Sequence, residues 1–316
     1  MMKISVIVAI YNASRYLREC LDSIVNQDFK GEYEVILVND GSTDDSLSIC
    51  QEYASQHTNV VVLTGENAGV SAARNKGIDV ARGEWYFFAD ADDIMSPDAL
   101  TTLYDRQKET QADLARANYV TLEDGVVSKP CLRLPNETLR KPICNIFGIG
   151  SAWGFLMPAK VIMSNKLRFV EGVGMGEDSL FCYQLACLCE TIAFSNKVVY
   201  VYRIHRKSAT HSENRVWFAK QHFVFAHHSL RMANFYKEKD GEVFGVLKSA
   251  GESSIVRGIA GFQRRFKVSE FGEMRRAYYE IFGDGFKQVV VFWMLFMRAS
   301  YTNLKFIRNR LFGKKY

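Results

Sequence analysis

Apolar positions near the start of the chain form two kinds of segment that alternate. Residues 3–10 are a nearly continuous apolar run rich in β-branched side chains, which predicts a strand covered on both faces. Apolar residues then recur at helical spacing from Leu17 to Val25, which predicts a helix over 14–27. The elements predicted next are strands at 33–39, 59–63 and 84–89, with helices around 47–53 and over 70–81. This alternation predicts a mostly parallel α/β sheet, because helical crossovers are the short connection between parallel strands.

The later part of the chain has a more mixed pattern. Residues 121–150 contain three of the five prolines and predict loops or short strands. The elements predicted around them are strands at 112–120 and 191–203, a helix at 177–190 and mostly helical chain at 213–283.

Polar loops follow all four strands predicted in the first part of the chain. They contain Tyr11-Asn12, Asn39-Asp40-Gly41, Asn67-Ala68-Gly69 and Asp90-Ala91-Asp92. In an α/β sheet, ligands bind beyond the carboxyl ends of the strands. We therefore expect these loops to converge on one crevice.

The loop after the strand at 84–89 carries the most distinctive chemistry. Residues at i and i+2 of an extended chain project to the same side, so Asp90 and Asp92 are expected to face one small space. A hard divalent cation there would neutralise them and keep open positions for phosphate oxygens. The pattern therefore predicts a site for a nucleoside diphosphate.

Composition and charge narrow the class of protein only slightly. The chain has 316 residues, of which 48% are hydrophobic and 24% charged, with a formal net charge of +5. This is an ordinary globular balance. The seven cysteines are scattered, and the cluster at Cys182, Cys187 and Cys189 fits no common zinc spacing, which predicts reduced thiols in the cytosol.

The end of the chain changes character. Residues 289–297 are nine consecutive apolar residues, too few to span a membrane, and only basic charges follow Asp284. Aromatic and basic side chains are mixed up to residue 316, which favours an amphipathic helix over 286–316 lying on an anionic membrane. A core helix and an RNA-binding segment are the alternatives, and we expect no nucleic-acid partner.

Three strings of this sequence resemble the family 2 glycosyltransferases with a GT-A fold: ISVIVAIYNASRYLRECLDSIVNQ, EVILVNDGSTDDS and NAGVSAARNKGIDVARGEWYFFADADD. The resemblance is dense over residues 3–100 and continues weakly to about residue 210. It implies an inverting transferase that uses a nucleotide sugar, usually a UDP-sugar, together with Mn²⁺ or Mg²⁺. It also implies a nucleotide-sugar-binding half over 1–100 and an acceptor-binding half over 101–212, leaving 213–285 as a helical extension.

The resemblance assigns a role to each loop. Ala9, where relatives often carry proline, and Tyr11 would line the base pocket, and Asp40 would accept a hydrogen bond from the base. The residues implied along the remainder of the donor are Asn67, Gly69, Arg74, Asp90 and Ala91. Of these, Asp90 would hold the ribose. Asp92 would bind the metal.

Three candidate residues, Asp40, Asp178 and Arg74, have plain structural alternatives. Asp40 could simply belong to a turn, because Asp-Gly is a standard turn dipeptide. The family's general base is an aspartate in a later Glu-Asp pair, which is Glu177-Asp178 here and makes Asp178 the expected base. Both carboxylates could instead simply favour the helix dipole. Arg74 is expected on the diphosphate, whose oxygens suit its guanidinium fork, and the alternative is a solvated helix arginine.

Further candidates remain open at this stage. Asp93 could touch the acceptor or cap the following segment, and Trp153 could form a wall of the acceptor pocket or lie in the core. A late loop with His205, Arg206 and Lys207 could reach the diphosphate or the metal, although a solvated basic loop is the simpler interpretation.

The sequence therefore predicts a glycosyltransferase that acts on a glycan acceptor in bacterial surface polysaccharide assembly. The terminal helix favours a polyprenyl-diphosphate-linked acceptor and a cytoplasmic enzyme bound peripherally to the inner face of the membrane. A catalytically silent partner of another membrane glycosyltransferase is the main alternative. A nucleotidyltransferase is disfavoured because residues 10–16 lack a glycine-rich basic loop.

Overall fold

A computed structural model of the chain describes residues 2–132, 134, 136–141, 150–205, 215–263 and 268–282. Arg206 and Lys207 lie outside the described residues, and so does the segment 286–316. Among the residues that are described, no helix combines the length and the apolar character that a membrane span requires.

Ten strands within the described residues form one sheet. In chain order they are β1 Ile4–Ile10, β2 Tyr33–Asp40, β3 Val60–Gly65, β4 Trp85–Asp90, β5 Ile94–Met95, β6 Leu114–Glu123, β7 Val126–Val127, β8 Thr138–Arg140, β9 Phe155–Pro158 and β10 Thr191–Ile204. Their order across the sheet is β3-β2-β1-β4-β9-β6-β10-β5, with β7 beside β6 and β8 beside β10.

Helices connect and flank these strands. They are α1 Ser14–Val25, α2 Ser46–Gln56, α3 Val70–Val80, α4 Ala99–Thr110, α5 Ala159–Ser164, α6 Glu177–Cys187, α7 Arg215–Tyr236, α8 Gly241–Gln263 and α9 Val268–Phe282.

The first four strands form the parallel sheet that the alternating pattern predicts. β1 pairs in parallel with β2 and β4, and β2 pairs in parallel with β3. β1 is almost wholly buried, as a strand with apolar residues on both faces must be. α1 packs through Leu17, Cys20, Leu21 and Ile24, the positions with helical spacing. These pairings confirm the α/β fold class.

The second half of the sheet is mixed. β6 and β10 run parallel, but β9 lies between β4 and β6 and is antiparallel to both. β6 begins at Leu114 and extends to Glu123, so it is displaced towards the C-terminus from the predicted strand at 112–120. Within 121–150, the described residues contain the short strands β7 and β8, as the pattern predicts.

Helix α3 lies unusually close to β1. A Cβ built on Gly77 would come within 2.4 Å of the Ile7 side chain, so only glycine permits this approach. The contact fixes α3 against the sheet and thereby sets the position of Arg74, one turn earlier on the same helix.

The described residues divide into two compact units. The first lies within Met1–Gly172 and Glu177–Lys207 and contains the whole sheet. The second lies within Val173–Gly176 and Ser208–Tyr316, and its described helices are α7, α8 and α9. The buried apolar cluster of the second unit consists of Ala219, Phe223, Ala226, Ile255, Met274 and Tyr278.

Candidate active site

The loop after β1 is fastened to the loop after β2. Asn12 has a left-handed backbone at φ +50°, and its side-chain oxygen accepts a hydrogen bond from the Thr43 amide at 2.8 Å. The amide of Ala13 donates to Ser46 Oγ at 2.9 Å. These bonds hold Tyr11, which is 53% exposed, at the rim of the sheet.

Asp44 also links these two loops through hydrogen bonds. Its carboxylate accepts hydrogen bonds from the amide of Ser14 at 3.0 Å and from that of Ser46 at 3.0 Å, so it serves the first turns of α1 and α2. Partial burial by itself would raise the pKa of Asp44, but the bonds from Ser46 and Ser14 lower the pKa to about 2. A local sequence pattern does not show that one carboxylate serves two helices, because Ser14 lies 30 residues before Asp44.

Asp40 joins the loop after β2 to the loop after β3. It is 2% exposed, and its two oxygens accept hydrogen bonds from the amides of Ala68 at 3.0 Å and Gly69 at 2.8 Å. Gly69 has φ +91°, a conformation that favours glycine. The visible contacts of Asp40 are therefore with the backbone of the 67–69 loop. Its expected bond to the base stays a prediction, as do the roles of Asn67 and Gly69.

The predicted convergence of strand ends brings Ala9 next to Asp90. In the register of the sheet Ala9 lies opposite Val38 on β2 and opposite Asp90 on β4. The base-lining and ribose-binding positions implied by the family resemblance are thus on adjacent strands.

Arg74 is the centre of a cluster of carboxylates. It is 3% exposed, which excludes the solvated-arginine alternative. Its guanidinium donates to Asp90 at 2.8 Å, to Asp178 at 2.5 Å and to Glu177 at 3.1 Å. Burial by itself would lower the pKa of Arg74, but these three carboxylates raise it further above its ordinary range. The structure therefore gives Arg74 carboxylate partners, and its contact with a diphosphate stays a prediction.

Asp178 lies in the first turn of α6 and is held from two sides. One oxygen accepts from Arg74, and the other accepts from the backbone amide of Ala152 at 2.9 Å. Burial raises the pKa of Asp178 to about 7; Arg74 opposes this rise, and Glu177 and Asp90 add to it. A buried carboxyl that titrates near neutral pH is suited to take a proton from a hydroxyl.

The chain turns immediately after Asp90, and the extended geometry expected for Asp90 and Asp92 is wrong. β4 ends at Asp90, and the amide of Asp93 donates to the Asp90 carbonyl at 3.2 Å, which closes a turn. The side chain of Asp90 contacts Arg74, whereas Asp92 Oδ2 lies 2.7 Å from Nε2 of His205. Ala91 between them is buried in the core.

Asp92 and His205 are the pair of side chains best suited to a metal. Burial and the neighbouring charge of Asp90 raise the pKa of Asp92, against the opposing effect of His205. Within the described residues, no group of three or more His, Cys, Asp or Glu side chains that could hold an ion is present. The pair nevertheless fits a divalent cation that also takes phosphate oxygens and water, because an imidazole nitrogen and a carboxylate oxygen are both ligands that such ions accept.

Arg203 braces the Asp92 turn and was not identified from the sequence. Its side chain donates to the Asp92 carbonyl at 2.9 Å and its backbone amide to Asp93 Oδ1 at 2.7 Å. Its guanidinium also lies 4.8 Å from the centre of the Tyr16 ring, which in turn packs on His205 at 5.0 Å. No local sequence pattern could have revealed this brace, because Arg203 follows the turn by more than a hundred residues.

Trp153 and Asp93 are both buried. Trp153 is 7% exposed and stacks on Tyr200 with ring centres 4.5 Å apart, so the structure favours the core position over an acceptor wall. Asp93 is 1% exposed and anchors β10 to the turn through Arg203. Neither side chain is presented to an acceptor in this arrangement.

Comparison with known proteins defines the class. Residues 5–157 match the family model Glycosyl transferase family 2. The chain is 33% identical over 228 residues to the glycosyltransferase GlyG of Streptococcus pneumoniae, covering 66% of this chain and 73% of that protein. The chain therefore belongs to glycosyltransferase family 2.

Two other curated relatives are much longer than the region they share with this chain. It is 37% identical over 232 residues to the glycosyltransferase GlyA of S. pneumoniae, covering 69% of this chain and 32% of GlyA. It is 34% identical over 209 residues to a poly(ribitol-phosphate) beta-glucosyltransferase of Bacillus spizizenii, covering 65% of this chain and 33% of that protein. The chain thus spans about a third of the length of these two relatives.

Solved structures support the GT-A-like fold. A crystal structure of S. aureus TarS residues 1–349 in complex with UDP-GlcNAc superposes with a TM-score of 0.70 at 22% identity, covering 88% of this chain and 80% of that one. The mannosyltransferase PcManGT from Pyrobaculum calidifontis, in complex with GDP-Man and Mn²⁺, gives 0.57 at 15% identity, covering 96% of this chain and 87% of that one. At these identities the likeness concerns the fold alone.

Proposed function

We propose that this protein is an inverting, metal-dependent glycosyltransferase that moves a sugar from a UDP-sugar to a hydroxyl of a glycan acceptor. The observation that carries the proposal is the buried cluster in which Asp178, with its pKa near 7, lies one arginine away from Asp90. It joins a candidate base and a candidate ribose ligand through one side chain. Donor contact and proton transfer therefore share one site.

Each residue has a defined task in the proposed reaction. Tyr11 and Ala9 bound the base at the end of β1, and Asp90 orients the ribose at the end of β4. Asp178 accepts the proton of the attacking hydroxyl, which makes the oxygen a better nucleophile towards the anomeric carbon. A single displacement on the face opposite the leaving group inverts that carbon.

The metal would be held by Asp92 and His205, whose ligand atoms already lie 2.7 Å apart. When bound, Mn²⁺ or Mg²⁺ supplies Lewis-acid stabilisation of the diphosphate leaving group. Arg203 keeps the Asp92 backbone in place and so determines where that carboxylate points. A related fold that is solved with GDP-Man and Mn²⁺ supports the proposal of a metal.

Two relatives guide the choice of substrates. TarS has been solved with UDP-GlcNAc, which favours a UDP-hexose or UDP-N-acetylhexosamine as donor. A relative that glucosylates poly(ribitol-phosphate) favours a bacterial surface polymer as the product. Within the proposed enzyme, residues 1–100 bind the donor and residues 101–212 the acceptor.

A lipid-linked acceptor is the further part of the proposal. It is supported by the basic and aromatic sequence of 286–316, which is suited to an anionic membrane. Deleting 286–316 should then release the protein from vesicles that contain anionic lipid. Unchanged binding of the deleted protein to these vesicles would exclude this segment as the anchor.

The test of the proposed reaction is UDP release from a panel of UDP-sugars with Mn²⁺ and a lipid-linked glycan acceptor. Asp178→Asn should retain UDP binding and reduce kcat by a factor of roughly 10² or more. Glu52→Gln, which removes one partner of an exposed ion pair with Arg18, is the matched control and should keep wild-type turnover. UDP binding without any turnover by the wild type would favour the silent-partner alternative.

A further inference from the structure

Arg116 is a fully buried arginine for which the described residues supply no carboxylate partner. It lies in the middle of β6 at 0% exposure, and burial lowers its pKa to about 10. An unpaired buried charge is costly. Because an apolar residue would stabilise this position more, the contacts of the Arg116 guanidinium should indicate its role.

These contacts go to a single turn, Ser151–Gly154. The guanidinium donates to the Trp153 carbonyl and, at 3.3 Å, to the Ser151 hydroxyl. It also lies 4.3 Å from the centre of the Phe155 ring, directly after the turn. Arg116 thus binds the first and third residues of the turn through polar atoms and stacks on the residue that follows.

The turn is shaped around the guanidinium. Gly154 has φ +76°, and a Cβ at this position would lie 2.5 Å from Arg116 Nη1. The backbone conformation therefore favours glycine, and a side chain at this position would displace the guanidinium from the turn. The neighbouring amide of Ala117 also donates to the Gly154 carbonyl, at 3.1 Å, which ties the turn to β6.

The residue in the middle of this turn holds Asp178. The Ala152 amide donates to Asp178 Oδ2 at 2.9 Å, while the residues on either side of Ala152 are held by Arg116. Cys182 on the same helix as Asp178 also donates to the Ser151 carbonyl at 3.5 Å. The turn therefore lies between the guanidinium of Arg116 and the carboxylate of Asp178.

We propose that Arg116 is a positioning residue for Asp178: it fixes the Ser151–Gly154 turn so that the Ala152 amide holds one oxygen of the base. This inference rests on the proposed function, in which Asp178 is the base. Arg116 itself touches no substrate, since it is fully buried.

The Ala152 amide acts on the pKa of Asp178 together with the charged groups around this carboxyl. Arg74 faces Asp178 from α3, Asp90 from β4, and Glu177 from its own helix. The hydrogen bond from Ala152 favours the ionised carboxylate. If the turn moves, this bond weakens and the pKa of Asp178 rises. In a plot of kcat against pH, the midpoint of the acid limb, where kcat falls as Asp178 is protonated, should then move to higher pH.

The experiment compares Arg116→Met, which keeps an unbranched stem but removes the guanidinium and its donors, and Arg116→Lys, which keeps a charge without the fork. Phe194→Leu is the matched control, because Phe194 is buried and paired with Arg116 across β6 and β10 but lies outside the turn. We expect Arg116→Met to lower kcat roughly 10- to 100-fold, with UDP affinity and donor KM within about twofold of wild type. Arg116→Lys should show an intermediate kcat and the same direction of shift in the acid limb.

Several outcomes would overturn the inference. One is that both Arg116 variants lose no more kcat than Phe194→Leu does when the loss of Tm is equal, and that the acid side of their kcat-pH profile stays at the wild-type midpoint. If Arg116→Met does not fold, Arg116→Lys and Ser151→Ala decide the matter by the same two readouts. Asp178→Asn, measured in parallel, separates the two proposals. If Asp178→Asn turns over as the wild type does, Asp178 is not the base, and both the proposed role of Asp178 and this inference are wrong. If Asp178→Asn is inactive but the Arg116 variants behave like Phe194→Leu, only this inference is wrong.

Discussion

The guanidinium of Arg74 and the carboxylate of Asp178 form an ion pair at 2.5 Å between residues that are 104 positions apart in the chain. Arg74 comes from α3 in the parallel half of the sheet and Asp178 from the first turn of α6. The same guanidinium also binds Asp90 at the end of β4. One buried cation therefore neutralises carboxylates that the proposed mechanism assigns to the ribose and to proton transfer.

Removing the charge of Arg74 should destabilise the protein strongly. Arg74→Gln leaves Asp90, Glu177 and Asp178 without their cation, and breaking a buried pair costs about 3–5 kcal/mol. The free energy of unfolding can be measured in urea at pH 7.5. Arg168→Gln, which opens the exposed pair with Asp79, is the control and should cost less than about 1 kcal/mol. Equal losses in the two variants would contradict the central position of Arg74.

The raised pKa of Asp178 has a consequence for stability against pH. The folded state holds a proton on Asp178 up to about pH 7, whereas the unfolded chain releases it near its ordinary value of 3.8. Between these two values the folded state binds more protons, so Asp178 makes the protein less stable as the pH rises. Asp178→Asn removes this effect.

The stability of Asp178→Asn relative to wild type should therefore increase from pH 4 to pH 7.5, by on the order of 2–4 kcal/mol. Urea unfolding at several pH values measures the difference. Asp79→Asn, at an exposed carboxylate, provides the reference curve. If the free energy of unfolding of Asp178→Asn, relative to wild type, changes with pH as that of Asp79→Asn does, the pKa of Asp178 is not raised.

Local sequence patterns were sufficient for the parallel half of the fold. β1 and β2 are buried on both faces, so each appears in the sequence as a continuous apolar run, and α1 shows its buried stripe. The position of β9 could not be predicted in this way. It is a four-residue strand inserted between β4 and β6, and pairs of residues such as Tyr86 and Met157 join segments that are far apart in the chain.

The same limit applies to the candidate site. The sequence located the carboxylates, because each follows a strand or begins a helix, but it could not assign their partners. Asp90 and Asp92 were expected to share a space, yet the turn after β4 directs one towards Arg74 and the other towards His205. Arg203 and Arg116 act through backbone atoms of distant turns, and contacts of this kind leave no periodic pattern in the sequence.

Asp44 gives a prediction at the low end of the pH scale. Because its folded pKa is about 2 and its ordinary value is 3.8, its contribution to stability is fully present above about pH 4 and is lost as the pH falls towards 2. Asp44→Ala also removes the acceptor for the amides of Ser14 and Ser46.

We expect Asp44→Ala to lower the free energy of unfolding by about 1–2 kcal/mol at pH 7, and by less at pH 3. Thermal and urea unfolding at both pH values measure this loss. Asp45→Ala, one residue further on, is the control, because no side-chain cap of α2 by Asp45 is present. A loss that is the same at pH 3 and pH 7 would contradict the lowered pKa.

Metal binding can be tested without reference to activity. Asp92→Ala should abolish the binding of Mn²⁺ measured by electron paramagnetic resonance, and His205→Ala should weaken it at least about tenfold. Arg203→Gln releases the Asp92 carbonyl and should weaken Mn²⁺ binding by roughly 10- to 100-fold, and excess metal should restore full occupancy. His57→Ala, after the end of α2, is the matched histidine control and should bind Mn²⁺ as the wild type does. Wild-type affinity in Asp92→Ala would remove Asp92 from the metal site, and wild-type affinity in His205→Ala alone would leave Asp92 without this partner.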